Sequence, residues 1–190
     1  MKKLFCFAIL LSNLSFAAEE PLMLDCMRAI GSGITVDEIK ACKNIKNSFA
    51  LKAVKLIGSD IDSNEIVAIS KFIDSEDEYK CMESVGSGID KSEIESCDNS
   101  YYYSLECVRV LGSDANSNEM NACKKIKSAN ALAVISMIGS GATVSEIKSA
   151  AKINHKDELA CTNIIGSDIN SNEIEACNFY GDSPSTNPEN

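Results

Sequence analysis

Gly58-Ser-Asp-Ile-Asp-Ser-Asn-Glu-Ile66 decides how this chain is built, because close copies of it occur six times. Gly-Ser recurs at Gly31, Gly58, Gly86, Gly112, Gly139 and Gly166, at intervals of 27, 28, 26, 27 and 27 residues, and a Glu follows each Gly seven places on. A fixed period in this range marks a repeat architecture. Each copy reads as the corner of a helical hairpin. The glycine closes one helix in the left-handed conformation that other residues resist. Four places later stands Thr35, Asp62, Asp90, Asn116, Thr143 or Asn170, each able to cap a helix start. Three places beyond come Glu38, Glu65, Glu93, Glu119, Glu146 and Glu173, which complete a capping box. Apolar residues flank each box, as Ile34 and Ile39 do in the first copy, and form a hydrophobic staple that sets the angle of the incoming chain.

The cysteines follow the same period. Cys26 and Cys42, Cys81 and Cys97, Cys107 and Cys123, and Cys161 and Cys177 are each 16 positions apart, with the corner glycine between them. The second and fifth copies lack both members together, carrying Ala53 with Ile69 and Val134 with Ala150. A pair present or absent as a unit behaves as one contact. In an antiparallel hairpin both places lie about two turns from the corner, within reach of disulfide geometry. The spacing therefore predicts four disulfides inside hairpins, each contributing about 3 kcal/mol by loop entropy. Zinc is the competing reading, but zinc sites place ligands two to four residues apart in one half at least, and no such Cys pair occurs. Both end copies would be braced, which suits repeats that have a neighbour on one side only.

The period predicts an all-α solenoid of six stacked two-helix hairpins, stapled by disulfides. The hairpins are expected over 22–45, 49–73, 78–98, 104–126, 129–153 and 157–180, within a repeat region spanning 18–180. Connectors such as Lys46-Asn47-Ser48 hold only a few residues, so successive hairpins must stack side by side. In first helices, apolar residues recur at helical spacing, as in Leu51, Ala53, Val54 and Ile57. In second helices the buried line is Ile39, Cys42, Ile45 and its equivalents. A small residue precedes the cysteine place in all six copies (Ala41, Ala68, Ser96, Ala122, Ser149, Ala176), which would let paired helices approach closely. Copies one, three and five read Gly-Ser-Gly while two, four and six read Gly-Ser-Asp, suggesting a super-repeat of about 54 residues. The period is shorter than that of tetratricopeptide or Sel1-like repeats, and the cysteine spacing departs from the latter, so no known repeat family is assigned.

Met1 to Ala17 reads as a signal peptide. Lys2 and Lys3 precede an uncharged apolar run from Leu4 to Leu11, and Ser15-Phe16-Ala17 offers small residues to a signal peptidase. Cleavage is expected after Ala17, or after Ala18. The run is too short to span a bilayer as a mature helix, and no Cys follows the cleavage point to carry a lipid. Cys6 would leave with the leader. The last ten residues, 181–190, are rich in Ser, Asn and Pro and read as a disordered tail. Loss of Lys2 and Lys3 would take the net charge from −10 to about −12. Such a surface repels nucleic acid and anionic lipid and favours a basic partner.

No residue set offers catalysis. His155 is the one histidine and stands in a connector, so a catalytic triad has no support. The six capping Glu residues are periodic, and glycosidase acid and base pairs need a cleft for one sugar. The corners at Asp60, Asp114 and Asp168 are rich in oxygen ligands of the kind calcium takes. Their spacing departs from an EF-hand, since Glu65 occupies the place of the required Gly; capping explains them, with weak cation binding as the alternative. Tyr101-Tyr102-Tyr103 cannot all point inward, and Tyr101 and Tyr102 are candidate partner contacts. The expectation is a periplasmic or secreted, non-enzymatic binding or scaffold protein, without cofactor or membrane insertion, that presents a rigid acidic surface to another protein. The alternatives are a structural envelope or spacer protein without a ligand, then a cation-binding protein or a cell-wall hydrolase.

Overall fold

The computed structural model describes residues 20–179, so the expected signal peptide and polar tail lie outside the described residues. The described chain is all-helical, with twelve α-helices and no strand among them. They are α1 (Glu20–Ile30), α2 (Val36–Cys42), α3 (Ser48–Ile57), α4 (Ser63–Phe72), α5 (Glu76–Val85) and α6 (Lys91–Ser96), followed by α7 (Tyr102–Leu111), α8 (Ser117–Cys123), α9 (Ala129–Ile138), α10 (Val144–Ala150), α11 (Lys156–Ile165) and α12 (Ser171–Cys177).

Every corner is made as its residues dictate. Gly58 ends α3 at φ +75° and ψ −136°, donating its N–H to the Val54 carbonyl, and the other five corner glycines share the positive φ. The extended ψ, common to Gly58, Gly86, Gly112, Gly139 and Gly166, places the cap in glycine's own region rather than the expected left-handed helical one. A side chain there would be strained although the space beside it is open. Each even-numbered helix then opens with a reciprocal capping box. The cap side chain accepts the N–H of its Glu, and the Glu carboxylate accepts the cap's N–H at 2.8–3.0 Å. The boxes matter because α6 has six residues and α2, α8, α10 and α12 seven each. Helices that short do not persist alone. The corner backbone follows the alternation in sequence only in part: Gly58–Asp60 and Gly112–Asp114 form 3₁₀ turns, whereas Gly166-Ser-Asp168 does not.

Packing runs in two rows. Odd-numbered helices touch in succession from α1 to α11, and even-numbered helices do so from α2 to α12. Between the rows lies one continuous core, including Ile66, Ile69, Met82, Ile94, Met120, Ile135 and Ile147. Disulfides cross it at Cys26–Cys42, Cys81–Cys97, Cys107–Cys123 and Cys161–Cys177, with Cα atoms 5.6–5.7 Å apart. The corresponding places without cysteine, Ala53 with Ile69 and Val134 with Ala150, are fully buried.

The small residue before each cysteine place serves the row rather than the hairpin. Ser96 Oγ meets the Ser117 carbonyl and receives Asn121 Nδ2, both on α8, and Ser149 Oγ donates to Glu175 on α12. Five of the six are buried, and Ala176, on the last of the described helices, is exposed. The close approach they permit is therefore between successive even-numbered helices, a correction to the expected contact within hairpins. Ile39 is likewise only half-buried while its equivalents from Ile66 to Ile174 are buried, because among the described residues no helix precedes α2 in its row.

Candidate functional site

The capping boxes gather carboxylates at the starts of the even-numbered helices, which neighbour one another in their row. Between the second and third corners they line an open groove of about 590 Å³, with Asp62, Glu65, Asp90 and Glu95 around a single cation, Lys91. Asp62 Oδ1 accepts the N–H groups of Asn64 (2.7 Å) and Glu65 (2.9 Å), and Glu65 Oε2 accepts that of Asp62 (2.8 Å). Capping thus occupies one oxygen of each carboxylate and leaves the second outside those bonds. Lys91 Nζ is 3.5 Å from Glu95 Oε1. Burial raises the pKa of Glu65, and the negative fields of Asp62 and Asp90 add to it against the bond from the Asp62 N–H. The Ser92 hydroxyl, with help from the Glu93 N–H, lowers that of Asp90. Such an arrangement attracts cationic groups.

The next corner forms a second groove of about 470 Å³, lined by Glu93 and Asp114 among others. Asp60, Asp114 and Asp168 are all exposed at separate corners, and the structure does not bring them together. Among the described residues, no group of three or more His, Cys, Asp or Glu is placed to hold a metal ion. His155 caps α11, its backbone N–H donating to Glu158 Oε2 at 3.0 Å.

The three tyrosines divide. The Tyr101 hydroxyl donates to the carbonyls of Lys124 (2.6 Å) and Ile126 (2.9 Å), so this side chain ties the start of α7 to the end of α8. Tyr102 is exposed and stacks edge-on against Tyr103. Of the two candidate contact residues, only Tyr102 presents its ring to solvent.

Tyr101 belongs to a set of clasps that the repeat pattern hides. Asn47 Nδ2 donates to the Ile73 carbonyl, Glu78 Oε1 accepts from the Asn99 N–H, and Ser128 Oγ donates to the Ile153 carbonyl. Each joins the start of a hairpin to its end, opposite the corner. Glu78 is buried, and its other oxygen accepts from the N–H groups of Asp74 and Ser75. Burial pushes its pKa up, but the three backbone donors outweigh this and hold it below the ordinary carboxylate value. The neighbouring Asp74 is pushed up by the charge of Glu78.

The opposite edge of the even row carries the reverse charge. Lys124, Lys125, Lys127, Lys148 and Lys152 surround a groove of about 570 Å³, with Glu175 as its one acid. Glu175 is 3.0 Å from Lys152, which holds its carboxyl below the usual range. The run Lys124-Lys125-Ile-Lys127 carried this signal in sequence, concealed by a net charge of −10.

Compared with protein-family models, curated proteins and solved structures, the chain matches none. No helix among the described residues is long and apolar enough to cross a membrane.

Proposed function

We propose that this chain is an exported, non-enzymatic binding or scaffold protein, a solenoid of six hairpins that holds a basic protein partner along its corner edge. The groove of Asp62, Glu65, Asp90 and Glu95 carries the reading, because it sets several carboxylates around one lysine on a capped framework. Rigid carboxylates lose little entropy when a lysine- or arginine-rich surface docks. The two rows of helices support the solenoid, and the four disulfides are consistent with an oxidising compartment outside the cell.

The test is a pull-down from the native secretome or periplasm at low and high salt, using the wild-type chain and the Glu95→Lys variant. A basic partner retained at low salt, released at high salt and lost with the variant supports the proposal. A partner indifferent to both, or turnover of cell-wall material by the pure protein, sinks it.

A further inference from the structure

The rows of helices end in apolar residues that are more exposed than their equivalents in the fourth and fifth hairpins. At the α11/α12 end, Ile164 is 87% and Ile165 44% exposed, and Ala176 is exposed. Their equivalents in the fourth hairpin are half-buried Val110 and buried Leu111 and Ala122. At the α1/α2 end, Leu24 is 48% and Val36 68% exposed, where Leu132 and Val144 of the fifth hairpin are half-buried. Terminal repeats of solenoids ordinarily turn a polar face outward. These two turn apolar faces.

The two faces also match each other. Gly166-Ser-Asp-Ile-Asn-Ser-Asn-Glu-Ile-Glu-Ala-Cys177 repeats Gly112-Ser-Asp-Ala-Asn-Ser-Asn-Glu-Met-Asn-Ala-Cys123 with three changes. Gly31-Ser-Gly-Ile-Thr-Val-Asp-Glu-Ile-Lys40 repeats Gly139-Ser-Gly-Ala-Thr-Val-Ser-Glu-Ile-Lys148 with two. Within the chain, the fourth hairpin packs directly on the fifth, α7 against α9 and α8 against α10. The last hairpin therefore carries the outward side of the fourth, and the first carries the inward side of the fifth.

We propose that copies of this chain stack head to tail, the α11/α12 face of one on the α1/α2 face of the next, through a junction like that between the fourth and fifth hairpins. The occupant of each exposed face is a second copy, because the matching surface is already built into the same sequence and an equivalent interface already exists inside it. The contact is heterologous, so a dimer leaves one face of each kind free and assembly extends with concentration into a ring or a filament. It lies apart from the acidic groove and stands whether or not that groove binds a partner.

Sedimentation equilibrium tests this on the full chain, expressed for export so that its disulfides form, with the N-terminus fixed by mass spectrometry. The weight-average mass should climb with concentration past that of a dimer. Ile164→Glu with Ile165→Glu breaks one face, and Leu24→Glu with Val36→Glu breaks the other. Each variant alone should sediment as a single chain with wild-type circular dichroism. Mixed in equal amounts they should double in mass and stop there, since each retains the face that the other lacks. Should either double change disturb the helical spectrum, the single changes Ile164→Lys and Val36→Lys, at the two most exposed positions, take its place. A wild-type chain of single mass at every concentration overturns the proposal. So does a dimer abolished by one variant and untouched by the other, which is an isologous contact. Association only after removal of residues 181–190 also overturns it, by making the chain's own tail the occupant.

Discussion

Glu78 shows how one carboxylate can tie the start of a hairpin to its end. Its carboxylate accepts backbone N–H groups from Asp74 and Ser75 at the start of α5 and from Asn99 after α6. The Ser75-Glu-Asp-Glu78 capping box marks its place at the start of α5, but not its bond to Asn99, because Asn47, Tyr101 and Ser128 make the corresponding link elsewhere with different chemistry. The capping glutamates were legible for the opposite reason: one geometry imposed one residue type six times. Glu78→Gln should cost about 1–3 kcal/mol near neutral pH, since an amide has one acceptor oxygen for three donors. The pH dependence has a definite sign. The folded pKa of Glu78 lies below its unfolded value, near 4.5, so its contribution is complete above that value and is lost as pH falls through the folded one. Asp74, shifted upward, acts in the opposite sense as the repulsion from Glu78 is relieved by acid. Thermal melts of wild type and Glu78→Gln from neutral to acid pH should converge below the carboxylate range. A gap that stays constant down to the acid limit would mean that the charge of Glu78 contributes nothing.

The hairpin was the most legible unit, and its staples show why. Cysteine pairs that appear or vanish together mark a contact in the sequence itself, and the structure joins those same pairs. What lay beyond the pattern was direction. The small residues at Ala41, Ala68 and their equivalents could have faced the mate in the hairpin or the next helix in the row, and spacing alone does not distinguish these. Exposure of Ala176 does. Two predictions belong here. Asp62→Ala removes the acceptor for the Asn64 and Glu65 N–H groups and should destabilise the protein by about 1 kcal/mol, read as a lowered denaturant midpoint with unchanged slope. Conversely, Ala53→Cys with Ile69→Cys places a fifth staple in the second hairpin, where both residues are fully buried at the equivalent positions. The bond should form on export and raise stability by up to about 3 kcal/mol. Non-reducing peptide mapping with a thermal melt checks it. Two free thiols in the folded protein would show that the unstapled hairpins hold a different spacing.

Each hairpin is stabilised by its neighbours, so stability should be lowest where a neighbour is missing. Among the described helices the first and last hairpins contact one partner each, α1/α2 meeting α3/α4 and α11/α12 meeting α9/α10. Both carry a disulfide, which places covalent bracing where packing is thinnest. The second and fifth hairpins lack one, yet each is packed between two others. The distribution of staples was readable from the sequence. Its relation to packing was not, because burial at Leu24 or Ile165 depends on what lies beyond the end of the row. Reduction under native conditions separates the two contributions, since it removes the covalent term and leaves the contacts in place. In dilute solution, amide hydrogen exchange after reduction should rise first in Glu20–Cys42 and Lys156–Cys177, then in the central helices. The second hairpin, with no disulfide to lose, should change only as its neighbours open. At high concentration the end hairpins should regain protection if chains stack as proposed, while the centre is unaffected. Uniform loss of protection along the chain would instead make the molecule a single cooperative unit, with stability that does not depend on position in the row.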